Sequence, residues 1–559
     1  MFVYKNAWEA IVSYLQEIET KVVFGLPSDD LDILDAMKSS DIQFVITKDQ
    51  RNAVFMGTGY ARTSNSLGVC IVGKGPAFTN TLTGLLEAKS QHVPLLMIGL
   101  GTGNDRMGMR AFQEADQMAM IQSLTKWSYR IEHMDRLIWA LEKGVFLASN
   151  GVPGPVYLEL PENLVLSEVK QQTPFQQRKR LSILPSEPEL AYSLEMISEA
   201  KRPVLLVGGG LKQSNSNKMI EKLAEKLGAA LFVTASGRGI VNEQHPLFCG
   251  LSGLYTVESM QEVWKQTDLI ITLGSRLEET ATFYWDTCSQ DTKVIQVNVE
   301  LDDFAVQFPG IYLWGEGGEV TRYWLSHLQE VSERADWVQK IHSLQSKNDQ
   351  QTQSIFQSLS SSEDVHVAEL LSTIQQLQDQ PVTYIQENGL HDMWGYFYPY
   401  LQLKSEDEVL VPSEQTSLGF GAVASLGVKW AHPDRAVVAI VGDGAFNMLQ
   451  TDWSTVIESK LPIFFLVLKN GGYGWLQYQL QQKELDSYGY NFLTLQDEWT
   501  HSNPVGWSYF EIKEKQQIHS TLTQALKHYR QGKTVVVEAH VKMNDVPKEI
   551  QSVYSVAPM

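Results

Sequence analysis

Three consecutive parallel α/β domains are the fold class this sequence predicts, and two observations predict it. Short runs rich in Val, Ile and Leu alternate with helical stretches almost throughout, and two polar segments divide those runs into three sets. Length agrees, because 559 residues exceed one hydrophobic core. Three units of roughly 150 to 190 residues would satisfy ordinary domain size.

The first set, KVVFGLP, IQFVITK, LGVCIVG and VPLLMIGL, places a domain over residues 1–170. The second, PVLLVGG, AALFVTA, DLIITLG and KVIQVNV, places another over 190–340. The third, PVTYIQENG, AVVAIVGDG, PIFFLVLKNGG and KTVVVEAHV, fills 365–559. Between them QQTPFQQRKRLSILPSEPE and SKNDQQTQSIFQSLSSSED read as linkers.

Composition narrows the function. The 45 basic and 65 acidic residues give a net charge of −20, which repels a polyphosphate chain, so nucleic acid is excluded as a partner. Cys70, Cys249 and Cys288 lack metal or disulfide spacing, which points to a reducing compartment. The N-terminal stretch is an amphipathic helix without signal-peptide character, and no apolar run reaches the roughly 18 residues of a membrane span. A cytoplasmic protein is expected.

The stretch from Val438 to Trp475 carries the chemistry. One buried strand ends at Gly442-Asp443-Gly444 and the next at Asn470-Gly471-Gly472, with NMLQTDWSTVIESK between them as a helix. In a βαβ unit the two strands run parallel, so Asp443 and Asn470 meet at one carboxyl edge. Mg²⁺ takes about six oxygens, commonly one or two from side chains and others from phosphate and water. Asp443 and Asn470 supply two, a carbonyl near Gly472 a third, and the Gly444 and Ala445 N–H groups face a phosphate. Taken alone, GDG is equally a tight turn after a strand.

GDG followed, after a helix and a second strand, by N-G-G resembles the diphosphate motif of thiamine diphosphate enzymes. Here Lys469 stands at the first of the motif's two asparagines and Asn470 at the second. VFGLPSDD, GYARTSNSLGVCIVGKGPAFTNTLTGL, AFQEAD and GPVYLELP also match, in order, segments of the acetolactate synthase and benzaldehyde lyase group. That resemblance covers the whole chain and implies pyrimidine-binding, central and diphosphate-binding domains, each a Rossmann-like parallel sheet. It implies thiamine diphosphate and Mg²⁺ as cofactors. It also implies a homodimer at least, arranged as a homotetramer, in which one chain's pyrimidine domain faces another's diphosphate domain.

The resemblance extends to single residues. ENGLHDMW matches the loop whose histidine bonds the diphosphate, placing Gly389 and His391 there. TSLGFGAVASLG places Leu418 as the apolar wedge under the folded cofactor, with the Thr416 carbonyl and Leu418 N–H on its aminopyrimidine; an ordinary core leucine is the alternative. Pro27 falls beside the cofactor as well. In the central domain Gly208, Gly209 and Gly210 form a fingerprint too weak to establish FAD.

One departure bears on activation. Relatives use a glutamate at the end of the second strand, against the pyrimidine ring nitrogen, whereas Lys48-Asp49-Gln50-Arg51 puts Gln50 there. A carboxylic acid can share its proton; a neutral amide can only donate or accept a hydrogen bond. Asp49 would replace it only if the strand end slipped by one residue, since neighbouring strand side chains point to opposite faces.

By position Ser28, Phe112, Gln113, Phe397, Trp475, Leu476 and Gln479 are candidates for the substrate pocket, with core packing the alternative for Phe112 and Phe397. Gln113 resembles a glutamine that faces the cofactor. Acetolactate synthases carry tryptophan where Gln479 stands and N-N-E-E-Q-G where this chain has KNGGYG, which argues against classical acetolactate synthesis. The expected activity is carboligation or decarboxylation of a small 2-oxo acid or aldehyde. A flavin-assisted oxidase and a cofactor-binding homologue with little turnover are the alternatives.

Overall fold

The computed structural model describes residues 2–27, 31–175, 181–212, 214, 216–283, 285–329, 334–485, 489 and 507–551. Three six-stranded sheets, each wholly parallel, run through the described residues in chain order. Most of their strands are buried on both faces, which parallel sheets covered by helices require and which explains the unbroken Val, Ile and Leu runs.

The first sheet takes the order Gln43–Ile46, Val22–Leu26, Gly68–Val72, Leu95–Gly101, Pro155–Pro161, Trp127–Arg130. The third repeats this pattern with Glu408–Leu410, Val382–Gln386, Ala436–Gly442, Phe464–Lys469, Thr534–His540 and Trp507–Ile512. The middle sheet differs. There Pro203–Val207 and Leu269–Leu273 are neighbours at the point where strand order reverses, the arrangement of a dinucleotide-binding fold.

Two local expectations fail. The second polar segment is mostly helical, because Ala335–Ser360 continues through it as one helix. Trp337, Ile341 and Leu344 bury one side of that helix, and Ile355 and Phe356 pack further along, so its Gln and Ser residues form a solvated face. The stretch after Gly442 is broken into Asp443–Asn447, a 3₁₀ turn at Gln450–Asp452 and Trp453–Ser459.

The first and third units meet through the helices Gln50–Ser64 and Phe420–Ala431. Phe55 meets Phe420 edge to face at 5.5 Å between ring centroids. Asp452 accepts from the Lys48 backbone and from Asn52 Nδ2, each at 2.7 Å. Buried Glu87 accepts from the Ser413 amide at 2.6 Å and the Ser417 amide at 3.2 Å, fixing the loop that leads to Leu418. The middle unit joins through Arg238, buried with Glu243 and bonded to the Gly395 and Leu401 carbonyls of the third.

The two helices approach so closely that a Cβ on Gly427 would lie 1.8 Å from the Met56 carbonyl oxygen. Gly427→Ala must therefore push the helices apart. An overpacked core typically loses about 1–3 kcal/mol, and we expect a correspondingly lower urea midpoint for the unfolding phase that separates these two units.

Candidate active site

The third sheet sets the site. Ala436–Gly442 and Phe464–Lys469 are parallel neighbours with Gly442 opposite Leu468, so Asp443 and Asn470 leave the sheet at one edge. Asp443 opens a short helix, and its Oδ1 accepts from the Gly444 amide at 3.0 Å. Its Oδ2 accepts from the Gly471 amide at 2.9 Å, which ties the two strand ends together. The Gly444 N–H is thus already engaged, in place of the free phosphate donor that the sequence suggests. Buried Ala445 follows it in the same first turn.

Asn470 is oriented by His391. The His391 Nε2 lies 2.9 Å from the Lys542 carbonyl oxygen, which can only accept, so that nitrogen carries a proton. Burial holds the imidazole pKa below its usual value and keeps the ring neutral. Its Nδ1 is then a lone pair, accepting from Asn470 Nδ2 at 3.0 Å. This turns Asn470 Oδ1 the other way, toward the Gly472 amide at 3.0 Å. Both ring nitrogens of His391, expected from the sequence to face a diphosphate, are thus engaged within the chain, and the ring orients Asn470.

Carboxyl groups crowd this edge. Burial raises the Asp443 pKa to about 6, against the two N–H bonds and the charge of Lys469. Asp392 accepts from the Gly389 amide at 3.1 Å, and burial followed by other effects including Asp443 raises it to about 7. Its Oδ1 is buried without a hydrogen-bond partner among the described residues. Glu387 lies under the start of Phe420–Ala431, accepting from Gly421 and Ala422, and burial raises it to about 8. Such a concentration of buried oxygen is costly without a counter-charge and suits a hard cation. Asp443 Oδ and Asn470 Oδ1 fit that role, with the Gly472 carbonyl beside them in sequence.

The residues from the first unit are held separately. Gln50 is the first residue of its helix and Asp49 is the N-cap, accepting from the Arg51 amide. The preceding strand ends at Ile46, so alternation along a strand does not set the Asp49 and Gln50 directions, and that expectation is corrected. Asn80 Nδ2 reaches Asp49 Oδ1 and Gln50 Oε1, each at 3.0 Å. Pro27 directly follows the strand Val22–Leu26, and Ser28 lies outside the described residues. Gln113 is exposed at φ 56°.

Leu418 is 42% exposed, which removes the core alternative for it, and Phe112 is 70% exposed. Phe397 is fully buried against Tyr255, so it is core and cannot line a pocket. Trp475, exposed Leu476 and half-buried Gln479 share the helix Gly474–Gln482, with the indole N–H of Trp475 donating to the Asn388 carbonyl at 2.9 Å. Thr416 sits at φ 45°, its amide bonded to the Ser413 carbonyl.

Sequence reasoning passed over Asp392, Glu387, Glu87 and Asn80. Asp392 and Glu387 flank His391 in ENGLHD, and two acids beside a strand-end histidine are the signal that would have found them. Asn80 and Glu87 offer none, because only the fold brings them near the site. A cavity of about 270 Å³ lies apart, at the middle sheet's reversal point, bordered by Arg62, His92, Gly209, Gly210, Ser275 and Arg276. Gly208 is needed for packing, since its Cβ would lie 2.2 Å from the Gly274 carbonyl oxygen.

Comparison with known proteins finds matches to all three units. Residues 5–120, 190–320 and 387–539 match the N-terminal TPP binding, central and C-terminal TPP binding domains of the thiamine pyrophosphate enzymes. The large subunit of acetolactate synthase isozyme 1 from Escherichia coli K12 is 28% identical over 476 residues, 84% of this chain and 83% of that protein. The isozyme 3 large subunit from the same organism is 25% identical over 557 residues, 95% and 94% of the two chains. The acetolactate synthase large subunit of Corynebacterium glutamicum is 27% identical over 485 residues, covering 84% of this chain and 75% of its own. Three successive domain matches and these end-to-end relatives make the chain a member of the thiamine pyrophosphate enzyme family, of the acetolactate synthase type.

Proposed function

We propose that this enzyme holds thiamine diphosphate through Mg²⁺ and makes or breaks the carbon–carbon bond next to the carbonyl of a small 2-oxo acid or aldehyde. The observation that supports the reading is the convergence of Asp443 and Asn470 at one sheet edge, with the Asn470 amide held by His391 so that its oxygen meets the Gly472 amide. When bound, the cofactor supplies the electron sink for this chemistry. The protein supplies position: Asp443, Asn470 and the Gly472 carbonyl hold the cation, and Leu418 supports the rings. Trp475, Leu476, Gln479, Phe112 and Gln113 form the substrate wall and exclude water.

The reading includes a second copy of the chain. Leu418, Leu476 and Phe112 expose apolar surface, and Gln50 and Gln113 sit on a different unit from Asp443. A dimer that sets one copy's first unit against the other's third would cover these side chains and bring the two halves of the site together.

Titration calorimetry with thiamine diphosphate and Mg²⁺ tests the cation site. Asp443→Ala abolishes measurable binding. His391→Ala weakens it by about 10- to 100-fold through Asn470, the usual cost of losing a residue that orients a metal ligand. Unchanged affinity in both variants contradicts the site. Turnover is tested by screening short 2-oxo acids, with and without aldehydes. We expect CO₂ release from at least one that is lost in Asp443→Ala. Tight cofactor binding with neither CO₂ release nor coupling contradicts the activity and favours a binding protein.

A further inference from the structure

The pair Asp49 and Gln50 shares one donor, Asn80, and that sharing fixes which end of each amide points where. Asp49 Oδ1 is a carboxyl oxygen already accepting from the Arg51 amide at 2.9 Å, and Oδ2 lies 3.5 Å from the Arg51 guanidinium. The Asn80 atom 3.0 Å from Asp49 Oδ1 must therefore be its nitrogen. That same nitrogen lies 3.0 Å from the end of the Gln50 side chain, so the Gln50 atom meeting it must be the oxygen. Both hydrogens of the Asn80 amide are then in use. Gln50 is left with its Nε2 hydrogens, which have no acceptor among the described residues.

We propose that Asn80 is a positioning residue that fixes the sense of the Gln50 amide, so that Gln50 offers N–H, and not its carbonyl oxygen, to the pyrimidine ring nitrogen of the cofactor. The inference rests on the reading that Gln50 faces that ring. An N–H aimed at a ring nitrogen is satisfied only by its lone pair and opposes a proton there. A glutamic acid at the same position could place a proton on either partner. Asp49 thus acts at second hand: its carboxylate sets Asn80, and Asn80 sets Gln50.

The test uses the full chain with Mg²⁺ and thiamine diphosphate labelled with ¹⁵N at the pyrimidine N1′. The parent shows the shift of an unprotonated nitrogen that accepts a hydrogen bond. Gln50→Glu moves the signal toward the protonated position. In Asn80→Asp residue 80 can only accept, so Gln50 turns its Nε2 toward it and its oxygen toward the ring, and the signal moves the same way. Asn80→Ala, which frees the amide, gives an intermediate shift and roughly fivefold weaker cofactor binding, the effect of one lost hydrogen bond. Asn80 is exposed, so both Asn80 variants keep the parent's melting temperature. Parent-like shifts in both Asn80 variants, with a moved signal in Gln50→Glu, overturn the role of Asn80 alone. A parent-like shift in Gln50→Glu overturns the placement of Gln50 at the ring and the inference with it.

Discussion

The site depends on one relay of hydrogen bonds, from the Lys542 carbonyl through His391 to Asn470. A carbonyl cannot donate, so it dictates which imidazole nitrogen is protonated, and that nitrogen dictates which end of the Asn470 amide faces the sheet edge. Reverse any member and Asn470 would present N–H groups where its oxygen now meets the Gly472 amide. Parallel register brings Asp443 and Asn470 to the same edge, and the relay sets the sense of the Asn470 amide there, as the proposed cation site requires. Both of its hydrogen bonds are part-buried, where a mispaired polar group costs more than in water.

A second relay of the same kind operates in the first unit, where Asp49 orients Asn80 and Asn80 orients Gln50. The two units share a strand order, and the helices Gln50–Ser64 and Phe420–Ala431 pack them directly against each other. Glu87 extends this coupling by holding two amides of the loop before Leu418. The loop that carries Leu418, the proposed wedge, is therefore held by a carboxylate from the other unit. Rigid packing of this kind preorganises a site without any contribution from the ligand itself.

Much of this was legible in the sequence. Buried strands announce themselves as Val and Ile runs, and a GDG strand end followed by N-G-G one strand later located Asp443 and Asn470, because parallel topology leaves little freedom in where such residues go. Hydrogen-bond direction was not legible. His391 was identified from its neighbours, yet its partner, Lys542, is 151 residues away and contributes only a backbone carbonyl, which leaves no trace in residue type. Gln50 was placed at a strand end, but Asp49 caps a helix and the rule of alternating faces lost its basis. The segment before residue 360 was read as a linker because its Gln and Ser residues hide a spaced apolar stripe.

In the proposed function Asp443 and Asn470 hold a single divalent ion that is shared with the diphosphate. Electron paramagnetic resonance of Mn²⁺ in place of Mg²⁺ tests it most directly. We expect one Mn²⁺ per chain whose signal carries ³¹P hyperfine coupling when thiamine diphosphate is present and disappears in the Asp443→Ala, Asn470→Ala double variant. An ion bound without phosphorus coupling, or one retained after both side chains are removed, would contradict it.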